Sequence, residues 1–386
     1  MSVELKPPTI VAKPADLDQL VRLLEIEPLI AVDTESNSLY AYREQVCLLQ
    51  ISTRSKDFVI DPLAIKDLSA LRDVFANPAI EKVFHAAEYD VMCLKRDYQF
   101  EFANLFDTMI SARILGRKQI GLGNLLEEFF SVQVDKRYQR ADWSQRPIPP
   151  DQLRYAQHDT HYLPALRDIL LNLMAEHDRL EEASEVFAGL CALQPASYTF
   201  DPDGFWRLNN ARDFSLRQLA VLRELYLLRN DIAQKRNWPP FKVMSDEALI
   251  NIVRANPETA PDLYDIPGLS ARVAERYSNQ LFEAIQRGLT ARYPKRPDSA
   301  PRLDPQAAAR YDVLHKWRKA RALERGVESD VIIPKEALYA LAKSPARTLK
   351  ELERVPGLGP WKRNQYGEEL IRLFAKPSAS PTDTDS

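Results

Sequence analysis

A chain of 386 residues exceeds one typical domain, so two or three domains are expected. Its composition, 45% hydrophobic and 28% charged with 27 prolines and 11 glycines, excludes collagen-like and wholly disordered classes. Three scattered cysteines, Cys47, Cys93 and Cys191, are too few for a disulfide framework or a Cys-rich zinc site, and a reducing, cytoplasmic setting is expected. The start, MSVELKPPTI, lacks the basic flank and apolar stretch of a signal peptide, and no run approaches the roughly 20 apolar residues of a membrane helix. No membrane association is therefore expected. The net charge of −3 hides an asymmetry: residues 1–200 carry 21 Lys+Arg against 30 Asp+Glu, residues 201–386 carry 31 against 25. Only the second half has the cationic balance that phosphate binding normally uses.

In chain order, residues 29–33 read as a buried strand, 46–51 as a second and 57–60 as a short third. Their closeness and short polar breaks predict an antiparallel meander. Helices are expected around 68–75, 86–98, 108–115 and 151–173, with another strand at 82–84 and Asp107 as a helix cap. Alternating strand and helix signals over residues 1–200 predict a mixed α/β domain. Beyond residue 200 the pattern is helical and it repeats. Ser245–Leu249 recurs as Pro334–Leu338, Ile266–Leu269 as Val355–Leu358 and Tyr277 as Tyr366, all at one offset of 89 residues. Two copies of a helical module are expected, at 205–292 and 304–376, separated by Pro294, Pro297, Pro301 and Pro305. Residues 377–386 have no apolar content to bury and are expected to be a disordered tail.

Three short patterns carry candidate chemistry. Asp33-Thr34-Glu35 closes the first strong strand, and the two-residue period of a strand puts both carboxylates on one side. Two acids so close repel unless a divalent cation sits between them, and Mg2+ and Mn2+ prefer such hard oxygen ligands. His85-Ala86-Ala87-Glu88-Tyr89-Asp90 runs from a strand into a helix, with Asp90 one turn in, where a carboxylate also complements the helix dipole. Tyr155-Ala156-Gln157-His158-Asp159 lies in a helix, whose i and i+4 positions share a face, so Tyr155 and Asp159 can point at one site. Taken singly, each pattern is more readily explained by capping or surface roles than by chemistry.

Together and in this order, the three resemble the exonuclease motifs of the DEDD superfamily, tyrosine subclass. Between the second and third, Asp135-Lys136-Arg137-Tyr138-Gln139-Arg140-Ala141-Asp142-Trp143-Ser144-Gln145-Arg146-Pro147 is similar to the D-K-x-x-Q-x-x-D-W-x-x-R-P stretch of the bacterial ribonuclease D family. The repeated helical units are similar to HRDC domains, which that family carries in tandem, so the resemblance extends over residues 8–375. It implies an α/β ribonuclease H-like exonuclease domain, a mixed sheet flanked by helices, followed by two all-α HRDC domains.

The resemblance also implies 3′→5′ hydrolysis of RNA with two divalent cations, Mg2+ or Mn2+, releasing nucleoside 5′-monophosphates. Its implied substrates are tRNA precursors with 3′ extensions. On the matching positions, Asp33 would bridge both cations, Glu35 and Asp159 would hold the one that binds the attacking water, and Asp90 would support the second. Tyr155 would orient that water, since a free tyrosine with pKa about 10 is a poor base at neutral pH. Leu39 and Tyr40 are candidates to pack on terminal bases, and His85 to contact the substrate near the scissile phosphate. Lys136, Arg140 and Arg146 are candidates to follow the strand's phosphates, and Trp143 is expected to anchor its loop. The turns at Pro267 and Pro356, with Arg272 and Lys362-Arg363, are further candidate phosphate contacts. Trp206, Trp238, Trp317 and Trp361 are expected in the module cores. A monomer is expected. The competing readings are a DNA-directed exonuclease of the same superfamily, against which the tandem modules count, and a catalytically silent RNA-binding scaffold, against which the intact acids and Tyr155 count.

Overall fold

A computed structural model describes residues 5–195, 199–297 and 303–374, so the expected tail at 377–386 lies outside the described residues. Six strands form one mixed sheet: β1 (Thr9–Val11), β2 (Leu29–Ser36), β3 (Val46–Ser52), β4 (Asp57–Ile60), β5 (Glu81–Phe84) and β6 (Leu105–Asp107). Their spatial order is β1-β4-β3-β2-β5-β6. β2, β3 and β4 make the expected antiparallel meander. β5 and β6 extend it in parallel on the β2 side, and β1 pairs in parallel with β4. Both edge strands have only three residues and were not expected, because so short a run carries no readable period. β3 is buried along its whole length, which is why VCLLQIS reads as a continuous apolar run rather than an alternating one.

Helices flank the sheet. The helix expected at 68–75 opens as a 3-10 turn, Ser69–Leu71, before Arg72–Ala76. The one expected at 151–173 is two, Pro150–His161 and Leu163–Glu176. Pro164 has no N–H for the carbonyl of residue 160, and its ring crowds that carbonyl, so the first helix ends there.

From residue 204 onward every described element is helical, and the 89-residue offset holds helix by helix. Leu216–Arg236 corresponds to Pro305–Arg325, Pro240–Val243 to Ser329–Ile332, Asp246–Ala255 to Lys335–Lys343, and Ala271–Thr290 to Pro360–Arg372. Each copy buries its own core, one around Leu225, Leu249 and Leu281, the other around the equivalent Leu314, Leu338 and Leu370. Gly268 and Gly357 occupy the same left-handed turn, at φ +83° and +74°, where a side chain would be strained.

The copies dock on different parts of the sheet domain. Tyr42 inserts into the first copy's core and donates to Asn230 Oδ1 at 2.6 Å. The second copy seats on the helix Leu180–Cys191, where Arg325 pairs with the buried Glu182 and the Trp361 N–H donates to Glu185 Oε2 at 2.6 Å. Glu185 therefore occupies the helix start at which the sequence reading placed a phosphate contact, and Lys362 beside it is only 8% exposed. A carboxylate at a helix N-terminus plays the electrostatic part that a phosphate would, so in this copy the candidate phosphate site is already filled.

Candidate active site

β2 and β5 run parallel but pair only over Leu29–Ala31 and Glu81–Val83, then part. Their carboxyl ends open into one crevice, where α/β sheets generally place ligands. Asp33 and Glu35 reach it from β2, and His85 and the helix Glu88–Tyr98 follow from β5. Asp107 joins these pieces. It caps its own helix through the Met109 and Ile110 N–H groups and also accepts from the Ala87 N–H at 2.7 Å, so it does more than the expected cap.

Tyr155 and Asp159 arrive from Pro150–His161, which crosses β2, β3 and β4. Its seat is polar: Gln157 donates to Asp57 Oδ2 at 2.6 Å and to the Lys6 carbonyl at 2.7 Å, and the Thr160 and Ser52 hydroxyls meet at 2.7 Å. These bonds fix the helix rotation and hence the face it turns to β2.

Oxygens of Asp33, Glu35 and Asp159 lie within 4.8 Å of one another. Asp90, 6% exposed, stands beside them, and one of its oxygens accepts from both the Thr34 N–H, at 3.1 Å, and the Thr34 hydroxyl. Burial, then the charges of Asp90, Asp159 and Glu35, push Asp33 well above the ordinary carboxylate range. Burial followed by Asp159 and Asp90 does the same to Glu35. Burial raises Asp90 to about 7 against its Thr34 bonds, and burial with the Asp90 charge raises Asp159 to about 8. Carboxyls held this close and partly withdrawn from solvent do not all ionise readily without a cation.

A second unmet demand lies next to Asp33. Its register partner on β3, Gln50, is fully buried, and neither amide atom has a partner among the described residues. Cross-strand partners share a face, so the protein leaves a polar position unfilled beside the acids. An all-oxygen donor set with excess negative charge fits a hard divalent cation.

Tyr155 packs against the rings of Trp143 and Tyr138, with centroids 6.0 and 6.1 Å away, and Gln139 lines the cavity with it. Burial and the nearby carboxylates raise its pKa above the free value, so the phenol is neutral at pH 7 and acts through hydrogen bonds. The cavity, about 320 Å³, is lined by Asp33, Glu35, Asp159 and Tyr155 together with His85, Asn124 and Gln139, with Asp90 behind it on Thr34. Asn124 and Gln139 were not foreseen. Gln139 is signalled only by its place in the D-K-x-x-Q stretch, and Asn124 by nothing local.

The expected substrate contacts divide. Leu39 is 39% exposed. The Tyr40 hydroxyl donates to the Arg140 carbonyl at 2.6 Å, and the Lys242 ammonium lies 3.6 Å above the Tyr40 ring. Arg140 itself is exposed, and the Lys136 side chain lies outside those described. Trp238, expected in a module core, is instead 39% exposed and shares with Tyr40 and Lys242 a cleft of about 530 Å³ between the sheet domain and the first module.

Arg146 is a correction. Its guanidinium bonds both oxygens of Asp61, at 2.6 and 2.8 Å, and the carbonyls of Cys47, Trp143 and Gln145 at 2.8 Å each. A guanidinium has five N–H donors and all are engaged, so none is left for a phosphate. Arg146 pins the loop carrying Trp143, which is 2% exposed and backs Tyr155. Arg146→Ala is expected to lower stability by about 2–3 kcal/mol, the worth of hydrogen bonds to a charged group, and to reduce kcat by loosening the Tyr155 seat. Chemical denaturation checks this; unchanged stability with weakened RNA binding would instead make Arg146 a phosphate contact.

Comparison with known proteins agrees with this geometry. Residues 8–175 match a family described as 3′-5′ exonuclease, and residues 218–285 and 307–373 each match the HRDC domain. Ribonuclease D from Gluconacetobacter diazotrophicus is 30% identical over 375 residues, covering 95% of this chain and 92% of the relative. The catalytic core of RRP6 from Trypanosoma brucei superposes with a TM-score of 0.69 at 32% identity, covering 75% of this chain and 82% of that one. RNase D from Escherichia coli shares the fold over 95% of this chain and 98% of its own, with a TM-score of 0.69 at 24% identity. With its acids gathered at the end of β2 and two helical modules behind, the chain belongs to the ribonuclease D family of 3′-5′ exoribonucleases.

Proposed function

We propose that residues 1–200 trim 3′ extensions from tRNA precursors, one nucleoside 5′-monophosphate at a time, using two Mg2+ or Mn2+ ions. The observation that carries this reading is the convergence of Asp33, Glu35, Asp90 and Asp159, whose mutual repulsion calls for cations, beside a neutral, fixed Tyr155. Asp33, Glu35 and Asp159 would hold the ions, with Asp90 in support. Bound divalent cations supply an activated water and neutralise charge that builds on the phosphate. Tyr155 orients the attacking water through its hydroxyl, held in place by Trp143 and Tyr138.

The first module, 205–292, extends the RNA track. Its exposed Trp238 offers a stacking face, and Lys242, without an acidic partner among the described residues, offers a cation beside Tyr40. The second module, 304–376, with its helix start filled by Glu185, braces the fold. We place the activity in a cytoplasmic monomer; among the described residues no helix is long and apolar enough to cross a membrane.

The test is incubation of purified protein with a 3′-extended tRNA, matched single-stranded RNA and matched DNA, in Mg2+, Mn2+ or EDTA. Stepwise shortening of the tRNA with either metal, none in EDTA, and DNA slower by about tenfold or more is expected. Equal turnover of DNA would overturn the substrate, and RNA binding without hydrolysis in either metal would favour the scaffold reading.

A further inference from the structure

We infer that His85 selects the substrate by accepting a hydrogen bond from a sugar hydroxyl of the nucleotide being removed, an inference that rests on the exonuclease reading above. His85 follows β5, and its Nδ1 lies 2.9 Å from Thr108 Oγ1, which in turn lies 3.0 Å from the Phe84 carbonyl oxygen. A carbonyl oxygen only accepts, so the Thr108 proton belongs to that contact and Nδ1 supplies the proton for the other. The reverse assignment would set the lone pairs of two oxygens against each other at 3.0 Å. The chain Nδ1–H to Oγ1–H to carbonyl therefore fixes the tautomer, and Nε2 is left as an unprotonated acceptor. Burial keeps the ring neutral, holding its pKa down to about 4.

Nε2 has no partner among the described residues, and the ring lines the cavity with Asp33, Glu35, Asn124 and Tyr155. A neutral acceptor gains nothing from a phosphodiester, whose oxygens at pH 7 offer only lone pairs. The contact near the scissile phosphate expected from the sequence is thus directed to the sugar. Near the scissile bond the substrate's O–H donors are the 2′-hydroxyl of the penultimate ribose and the 2′- and 3′-hydroxyls of the terminal nucleotide; the contact inferred for His85 is to the terminal pair, which titration with a mononucleotide isolates. An acceptor fixed in orientation penalises an analogue that lacks the donor, because the acceptor is then left unpaired.

The full-length wild type, His85→Ala and His85→Gln, whose Oε1 offers an acceptor near the Nε2 position, are compared on three RNAs ending in ribose, 2′-deoxyribose or 3′-deoxyribose. The same proteins are titrated, with Mg2+ present, with adenosine 5′-monophosphate and its 2′- and 3′-deoxy analogues. The wild type is expected to prefer the ribose end over one deoxy end by about tenfold in kcat/KM, which identifies the hydroxyl. His85→Ala is expected to lose about tenfold on the ribose end and, with it, the preference, and His85→Gln to restore part of both. An equal loss by His85→Ala on all three ends, or a preference that survives it, overturns the inference. The nucleotide titrations need no turnover: a His85-dependent preference without any hydrolysis would refute the exonuclease reading and leave only the contact between His85 and the hydroxyl standing, hydrolysis without the preference would refute this inference alone, and the absence of both would refute both.

Discussion

Asp33→Asn abolishes hydrolysis, lowering kcat/KM by about 10³-fold or more, and raises the melting temperature of the metal-free protein. The first effect follows, on the proposed function, from removing a charge that would hold the cations. The second follows from the crowding of Asp33 with Glu35, Asp90 and Asp159, since one fewer carboxyl relieves burial and repulsion together. The sign with pH is fixed by the raised pKa values, about 7 for Asp90 and about 8 for Asp159. Between about pH 4, where ordinary carboxyls ionise, and pH 8, the metal-free native state holds protons that the unfolded chain has released. Stability is therefore full below that window and falls as pH rises through it, by about 1.4 kcal/mol per pH unit for each such proton. Mg2+ or Mn2+ then stabilises the wild type more at pH 8 than at pH 5. Melting curves with and without EDTA at both values, with turnover of a 3′-extended RNA, check the whole set. Turnover by the variant above about a hundredth of wild type, or a lower metal-free melting temperature, contradicts it.

Glu182→Ala costs about 3–5 kcal/mol in the seating of the second module. The Glu182 side chain is 1% exposed and its partner Arg325 12% exposed, so the substitution strands a buried guanidinium. Its remaining partners, the Ile114 carbonyl at 3.4 Å and the Tyr366 hydroxyl at 3.3 Å, are weak substitutes for a carboxylate. Replacing Glu182 and Arg325 together by methionine removes both charges and recovers most of the loss, because a buried pair owes much of its apparent worth to what a broken pair leaves behind. Trp361, whose ring lies 5.9 Å from the Arg325 guanidinium, reports undocking by fluorescence in a urea titration. A loss under about 1 kcal/mol, or a double variant as damaged as the single one, would make this pair an ordinary surface contact.

Much of the candidate site's arrangement is legible in the sequence because its parts are local. Asp33 and Glu35 share a strand face by the two-residue period, and Tyr155 and Asp159 share a helix face one turn apart. The first two thus enter the crevice together, as do the second two, once the meander and the late helix are in place. The 89-residue repeat was equally legible, because matched helices and matched core leucines repeat the same local pattern. Arg146 misled for a reason of the opposite kind: an arginine among basic residues in a loop looks free for phosphate until the fold brings Asp61 to it across 85 residues. Trp238 misled likewise, since nothing around it shows that Tyr40 and Lys242 meet at its side.

By itself, then, the sequence determined the meander of β2, β3 and β4, the two helical copies, and the two pairs of site residues held by local periodicity. Only the tertiary structure decided the short edge strands β1 and β6, the meeting of those pairs with Asp90, and the entry of Asn124 and Gln139 into the cavity. It also decided the contacts of His85 with Thr108 and of Thr108 with the Phe84 carbonyl, from which the His85 tautomer is inferred, and why two copies of one module differ, through Glu185 at the second copy's helix start. The physical division is one of range. Backbone period and turn chemistry act over a few residues and are written in order along the chain, whereas burial, charge crowding and the engagement of each hydrogen-bond donor depend on residues that only folding brings together.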